Sequence, residues 1–248
     1  MMDDVMPDKP VALITGAARR VGAAIAQLLH AKSYNVIVHY WQSQEAAEQL
    51  VATLNHERPN SACTLCANLL DDTTWSKLIQ DALAFSGRID VLINNASLFY
   101  KTPVGEVELE DWNNMMCTNL MAPFFLSQMA APHLAKQQGN IINITDIHTK
   151  RPLKEHSVYC ISKAGLHMMT SALAQALGPD VRVNAVAPGA VMWPEGDNAL
   201  SESAKQYIID KTALKRIGCG EDVALAVWSL LQQPFVTGQT LMVDGGRF

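Results

Sequence analysis

The chain has 248 residues, 49% of them apolar and 17% charged, with a formal net charge of −5 and a mean hydropathy of +0.05. This balance excludes a disordered chain and a basic surface that grips nucleic acid or anionic membrane electrostatically. No apolar run reaches the ~20 residues that span a bilayer, and the start Met1-Met2-Asp3-Asp4 has neither the basic start nor the apolar core of a secretory signal. A cytoplasmic protein with no membrane or nucleic-acid partner is expected.

Short apolar runs alternate with longer segments whose apolar residues recur every three or four positions. A strand is predicted over residues 11–15 and a helix over 21–32. Strand 35–39, helix 44–55, strand 62–66 and a helical segment at 72–85 follow. Next come strand 89–93, a helical stretch at 109–137, strand 140–144, helix 158–177 and strand 181–186. Helix 222–231 and a closing strand at 241–243 end the series. Near-continuous apolar strands between helices predict a single-domain α/β fold, a doubly wound parallel sheet with helices on both faces. The stretch 188–211 has no periodicity and follows a strand's carboxyl end, where such sheets place ligand covers. Met192 and Trp193 are costly to leave in water, which favours a substrate-covering loop over a plain surface connection.

The five cysteines, Cys63, Cys66, Cys117, Cys160 and Cys219, are odd in number, and a chain this long needs no disulfide staples. Cys63 and Cys66 have redox spacing but fall in a predicted strand, where residues three apart point to opposite faces. No second ligand pair accompanies them, so no metal site is expected. His148 and His156, near the catalytic segment, have no metal-ligand spacing and read as loop residues.

The first strand runs into Thr15-Gly16-Ala17-Ala18-Arg19-Arg20-Val21-Gly22 and then a helix. Gly16 permits a sharp exit from the strand, and Gly22 permits close packing of the helix whose free N–H groups face an anion. Two glycines alone are a weak signal; their place between strand and helix strengthens it. The second strand ends His39-Tyr40-Trp41-Gln42-Ser43, with no acid before Glu45. A carboxylate there would hold the ribose 2′-hydroxyl of NAD. Its absence, with Arg19 and Arg20 able to clamp a 2′-phosphate, favours NADPH. The alternative is that both arginines are solvated surface charges.

Tyr159 and Lys163 are spaced i, i+4 on one face of a predicted helix. A cation beside a phenol favours phenolate, so Lys163 is expected to lower the Tyr159 pKa. This pair combines with the glycine loop, Asn94-Asn95-Ala96-Ser97 after the fourth strand, Asn119 in the next helix and Pro188-Gly189 after a later strand. On these residues the sequence resembles the short-chain dehydrogenase/reductase family over residues 11–248. The resemblance implies a Rossmann-type domain, usually a homotetramer, that transfers hydride from a nicotinamide cofactor. It implies that Tyr159 is the proton donor, that Lys163 holds the nicotinamide ribose, and that Asn119 supports a water-linked proton path. Val191, after Pro188-Gly189, joins the implied cofactor contacts.

Two departures from the common family pattern carry information. Arg20 replaces the usual glycine before the last one of the loop, and Asp146 replaces the usual serine thirteen residues before the tyrosine. An ionised aspartate would repel a developing alkoxide, but a carboxyl group can exchange protons with a ring nitrogen or recharge a tyrosine. Asp146 as a simple turn cap is the alternative. Together with Asn95-Ala96-Ser97-Leu98-Phe99-Tyr100 and His39-Tyr40-Trp41-Gln42-Ser43, these departures resemble the pteridine reductase branch. That likeness implies that Phe99 and the nicotinamide sandwich a flat pterin, that Ser97 bonds the pterin or cofactor, and that Arg20 contacts a cofactor phosphate and the pterin. Phe99 as a loop aromatic plugging the core is the alternative. Asn68-Leu69 stands where the branch's usual acid meets adenine. Trp41-Gln42 lacks the branch's basic residue, which shifts the 2′-phosphate onto Arg20 and Ser43. Arg247 is either a contributor to a neighbouring subunit's site or a free tail charge.

The expected function is therefore an NADPH-dependent reductase of a dihydropterin, dihydromonapterin or dihydrofolate. Side-chain selectivity is assigned to the lid at 192–195. A 3-oxoacyl thioester (carbonyl) reductase and a non-catalytic NADPH-binding sensor are the alternatives.

Overall fold

The computed structural model describes residues 9–193 and 199–247. Strands β1 (Val11–Ile14), β2 (Asn35–Tyr40), β3 (Ala62–Cys66), β4 (Val91–Asn94), β5 (Asn140–Ile144), β6 (Arg182–Pro188) and β7 (Thr240–Val243) form one sheet in the order β3-β2-β1-β4-β5-β6-β7. All its pairings are parallel. The helices are α1 (Arg20–Ala31), α2 (Gln44–Glu57), α3 (Thr73–Ser86), α4 (Leu109–Met116), α5 (Ala122–Ala135), α6 (Ser157–Leu177), α7 (Glu202–Lys211) and α8 (Gly220–Leu231).

Strand residues alternate between two cores because successive side chains leave opposite faces of a sheet. Ala12 and Ile14 of β1 join α1, α2 and α8 in one core, with Ile25, Leu50 and Val227. Val11 and Leu13 enter the other with α3, α5 and α6, with Leu78, Leu126 and Leu166. Both faces are thus covered, which explains the unbroken apolar runs of β1, β2 and β4. The result is a Rossmann-type α/β fold. Strand order reverses between β1 and β4, and a doubly wound sheet opens its ligand crevice at the carboxyl ends flanking such a switch.

Two expected elements differ from the structure. The helical stretch 109–137 is interrupted by a π-turn at Cys117–Met121, where the Ala122 N–H reaches back five residues to Cys117 O. Apolar periodicity does not register one extra residue in a turn, and such bulges gather at functional sites. The stretch 188–211 is not irregular throughout, because α7 occupies its second half. Ser201 caps α7 by accepting the Ala204 N–H at 3.3 Å. None of its residues is fully buried, so it lacks the apolar stripe that reveals a helix in sequence. Lid residue Glu195 lies outside the described residues. No described helix is long and apolar enough to cross a membrane.

Candidate active site

The glycine loop is held by the loop after β4. Gly16 turns at φ +60°, and a Cβ there would meet Ala96 Cα at 2.9 Å. A Cβ on Gly22 would come within 2.6 Å of Gly16 O, so both positions require glycine. Asn95 Nδ2 donates to Thr15 O and Gly16 O at 2.8 and 2.9 Å. The Asn95 and Ala96 N–H groups both donate to Thr15 Oγ1. His39 locks the third side. Gly16 N–H donates to its Nδ1 at 3.1 Å, and its Nε2 lies 3.1 Å from Ala67 O. An amide N–H only donates and a carbonyl only accepts, so His39 is the neutral Nε2–H tautomer. Burial agrees, lowering its pKa to about 4.

Above this loop lies a cavity of about 420 Å³ lined by Gly16, Arg19, Arg20, Val21, Gly22, His39, Trp41, Asn68, Leu69, Asn95, Ala96 and Ser97. Two guanidinium groups and no carboxylate line it, and the start of α1 has no side-chain cap. This donor set fits a phosphate-bearing dinucleotide. Tyr40 packs into the core instead, and Gln42 and Ser43 do not line the cavity. Asn68 Oδ1 accepts the Leu70 N–H at 3.1 Å. Leu98, within the Asn95–Tyr100 motif but given no role from sequence, and Thr118, which nothing in its sequence context singled out, also line this cavity.

A second cavity of about 540 Å³ shares Arg20, Val21, Asn95 and Ser97 with the first, so the two adjoin. Its lining includes Phe99, Asp146, Tyr159, Lys163, Pro188, Gly189, Val191, Met192 and Trp193. Arg20 adopts φ +55°, and its Nη2 donates to the carbonyls of Met192 and Trp193, both at 3.1 Å. It therefore braces the loop after β6 as well as facing both cavities. Arg247 lines this cavity within its own chain. Lys101, His148, His156, Leu200 and Ile208 also contribute; the first three adjoin the motifs, but no spacing shows that they face the cavity, and Leu200 and Ile208 lie far from any motif.

The Tyr159 hydroxyl donates to Asp146 Oδ2 at 2.6 Å. Asp146 Oδ1 accepts the His148 N–H at 2.8 Å, capping a 3-10 turn at Ile147–Thr149. One carboxylate thus serves both the turn and the phenol. Lys163 is buried, donates from Nζ to Ile144 O at 2.9 Å, and sits 5.9 Å from the centre of the Tyr159 ring. The expected lowering of the Tyr159 pKa is overturned. Burial and the neighbouring Asp146 charge raise it well above 10, because a second negative charge there would be unsolvated and repelled. Burial lowers Lys163 to about 8, opposed by the attraction of Asp146.

Asn119 lies in the π-turn with its side-chain amide fully engaged. Its Oδ1 accepts the Leu98 N–H at 2.8 Å, and its Nδ2 donates to Leu98 O and Ser162 Oγ, both at 3.0 Å. It positions the loop after β4 rather than lining either cavity. Among the described residues there is no disulfide, and no cluster of His, Cys, Asp or Glu could hold a metal. Burial raises the Cys63 thiol to about 12, so it carries no reactive thiolate at neutral pH.

Comparison with known proteins fits this geometry. Residues 16–247 match the family model described as enoyl-(acyl carrier protein) reductase. The chain is 34% identical to a granaticin polyketide synthase ketoacyl reductase of Streptomyces violaceoruber, covering 97% of this chain and 96% of that protein. It is equally 34% identical to pteridine reductase 1 of Leishmania tarentolae, with the same coverage. A 3-oxoacyl-[acyl-carrier-protein] reductase of Synechocystis is 36% identical, over 95% of this chain and 96% of that protein.

Proposed function

The chain belongs to the short-chain dehydrogenase/reductase family of nicotinamide-dependent oxidoreductases, and on that premise we propose that it is an NADPH-dependent pteridine reductase. The substrate is a dihydropterin or dihydrofolate, reduced at a ring C=N bond to the tetrahydro form. The observation that carries this reading is the 2.6 Å hydrogen bond from Tyr159 to Asp146 at the floor of the second cavity.

Bound in the adjoining cavity, reduced nicotinamide would supply hydride to the ring carbon. The adjacent nitrogen must then gain one proton. Tyr159 holds that proton firmly, as its raised pKa requires. Giving it up beside an ionised carboxylate would leave two buried negative charges together. A solvent proton relayed through the Asp146 carboxylate to the phenol oxygen as the phenol donates avoids this, since Asp146 Oδ2 already lies 2.6 Å from that oxygen. Serine cannot take or release a proton in this range, and a carbonyl substrate gains nothing from a carboxylate facing its developing alkoxide. Phe99 supplies an aromatic wall for a flat heterocycle, which aligns the reacting bond. Arg19 and Arg20 favour the 2′-phosphorylated cofactor.

The second reading, a 3-oxoacyl thioester reductase, rests on relatives of that type at equal or slightly higher identity, 34% and 36%. One assay separates them: purified protein with NADPH against 7,8-dihydrobiopterin, dihydrofolate and an acetoacetyl thioester. Oxidation of NADPH with the pterins is expected, and turnover of the thioester alone discards the pteridine reading. We further propose a homotetramer, since Leu109, Trp112, Met121, Phe124, Ile161 and Met168 on α4–α6 are exposed and apolar in the single chain. Light scattering that returns a monomer overturns that assignment.

A further inference from the structure

The loop after β4 and the entry to α6 are stitched together by Thr102, which is 1% exposed. Its N–H donates to Glu155 O at 2.6 Å, and its carbonyl accepts from Ser157 Oγ at 2.9 Å. Its hydroxyl oxygen accepts the Val158 N–H at 3.2 Å. His156 lies inside this stitch, buried, with Nδ1 2.8 Å from Lys154 O. A carbonyl only accepts, so Nδ1 carries a proton and the imidazole plane is fixed. That plane lies against Phe99, with ring centres 4.7 Å apart and 16° between planes. Phe99 in turn meets the Tyr159 ring edge-on, at 4.8 Å and 79°. All three side chains line the second cavity.

We propose that His156 is a positioning residue for substrate specificity. By stacking on Phe99, it fixes that ring at a set angle to Tyr159 and makes a rigid platform for a planar conjugated heterocycle. This deepens the pteridine reading and rests on it. A phenyl ring already held in place loses little freedom when a second ring packs in the same cavity, so the platform strengthens binding of flat substrates. A flexible acyl chain gains much less from it. His156 itself acts through Phe99.

The test compares wild type with His156→Ala, His156→Phe, Phe99→Ala and the His156→Ala/Phe99→Ala double variant. The readouts are kcat and KM for 7,8-dihydrobiopterin with saturating NADPH, the same for the acetoacetyl thioester, and NADPH Kd. In His156→Ala, KM for the dihydropterin is expected to rise about tenfold, the scale of one lost stacking and ordering contribution, with a smaller change in kcat. His156→Phe restores it, and the substitution adds nothing further when Phe99 is already alanine. An unchanged KM in His156→Ala, or losses that multiply fully in the double variant, overturns the platform and leaves the pteridine reading standing. Should His156→Ala not fold, His156→Leu takes its place, filling the volume without a ring. If wild type reduces no pterin, the pteridine reading falls. The platform is then judged by calorimetric binding of 2,4-diaminopteridine to the NADP-loaded protein. Binding weakened in His156→Ala and kept in His156→Phe supports it; equal binding, or none, overturns it.

Discussion

The two adjoining cavities are built on opposite principles. Around the glycine loop, every fixing contact is neutral: backbone N–H groups, the Asn95 amide, the Thr15 hydroxyl and an uncharged His39. The charges there belong to Arg19 and Arg20, both exposed. In the second cavity, Asp146, Tyr159 and Lys163 bring protonatable groups together, and burial moves Tyr159 and Lys163 away from their ordinary pKa values. The first arrangement presents a fixed shape and positive potential to an anion. In the proposed reaction the second stores and moves a proton. Binding and chemistry are thus divided between two sides of one crevice, and substitutions on each side should fail differently.

The largest expected effect is on the proton-handling side. Tyr159→Phe should lower kcat about 10³-fold, within the range for losing a general acid, while calorimetry shows NADPH Kd unchanged within a factor of a few. Retained turnover would remove the phenol from the chemistry. His39 gives the next largest effect, on the binding side. Above pH 6.5 both folded and unfolded states hold this ring neutral, and its contribution to stability is complete. Below 6.5 the unfolded chain takes up the proton while the folded one resists until about pH 4, so about 3 kcal/mol is lost across that window. Urea unfolding from pH 7 to 4.5 measures the loss. A His39 ring that titrates near 6.5 by NMR in the folded protein contradicts it.

Asp146→Ser should reduce kcat for 7,8-dihydrobiopterin about 10²-fold, the lower end for acid–base catalysis, without weakening NADPH binding. Acetoacetyl thioester turnover should hold or rise, and equal losses on both substrates would blur the division between cavities. The smallest effect is expected from Arg19→Ala. Losing one charge-assisted contact should weaken NADPH about tenfold and NADH far less. Equal losses for the two cofactors would show that Arg19 does not read the 2′-phosphate.

The alternation of apolar strands with amphipathic helices is local information, and it was enough to place the sheet and most of its helices. The Tyr159/Lys163 spacing and the Gly16/Gly22 turn are local too, and they located both cavities. Elements lacking a local signature were missed: α7 buries no stripe, and the π-turn adds one residue to a helix without disturbing its pattern. Lys101, the His148/His156 segment and Arg247 come from three separate stretches of chain, and only folding sets their side chains around one cavity.

Sequence alone determined the fold class, the crevice and the Tyr159/Lys163 pairing on one helix face, because each depends on periodicity or on residues within one turn of helix. Tertiary structure alone decided the direction of the Tyr159 pKa, since that depends on burial and on a carboxylate thirteen residues away aimed at the phenol from another loop. It likewise decided that Asn119 holds a loop in place, that Arg20 braces the segment after β6, and that His156 backs Phe99. Distances between side chains on different elements are products of the packed sheet, and no spacing along the chain encodes them.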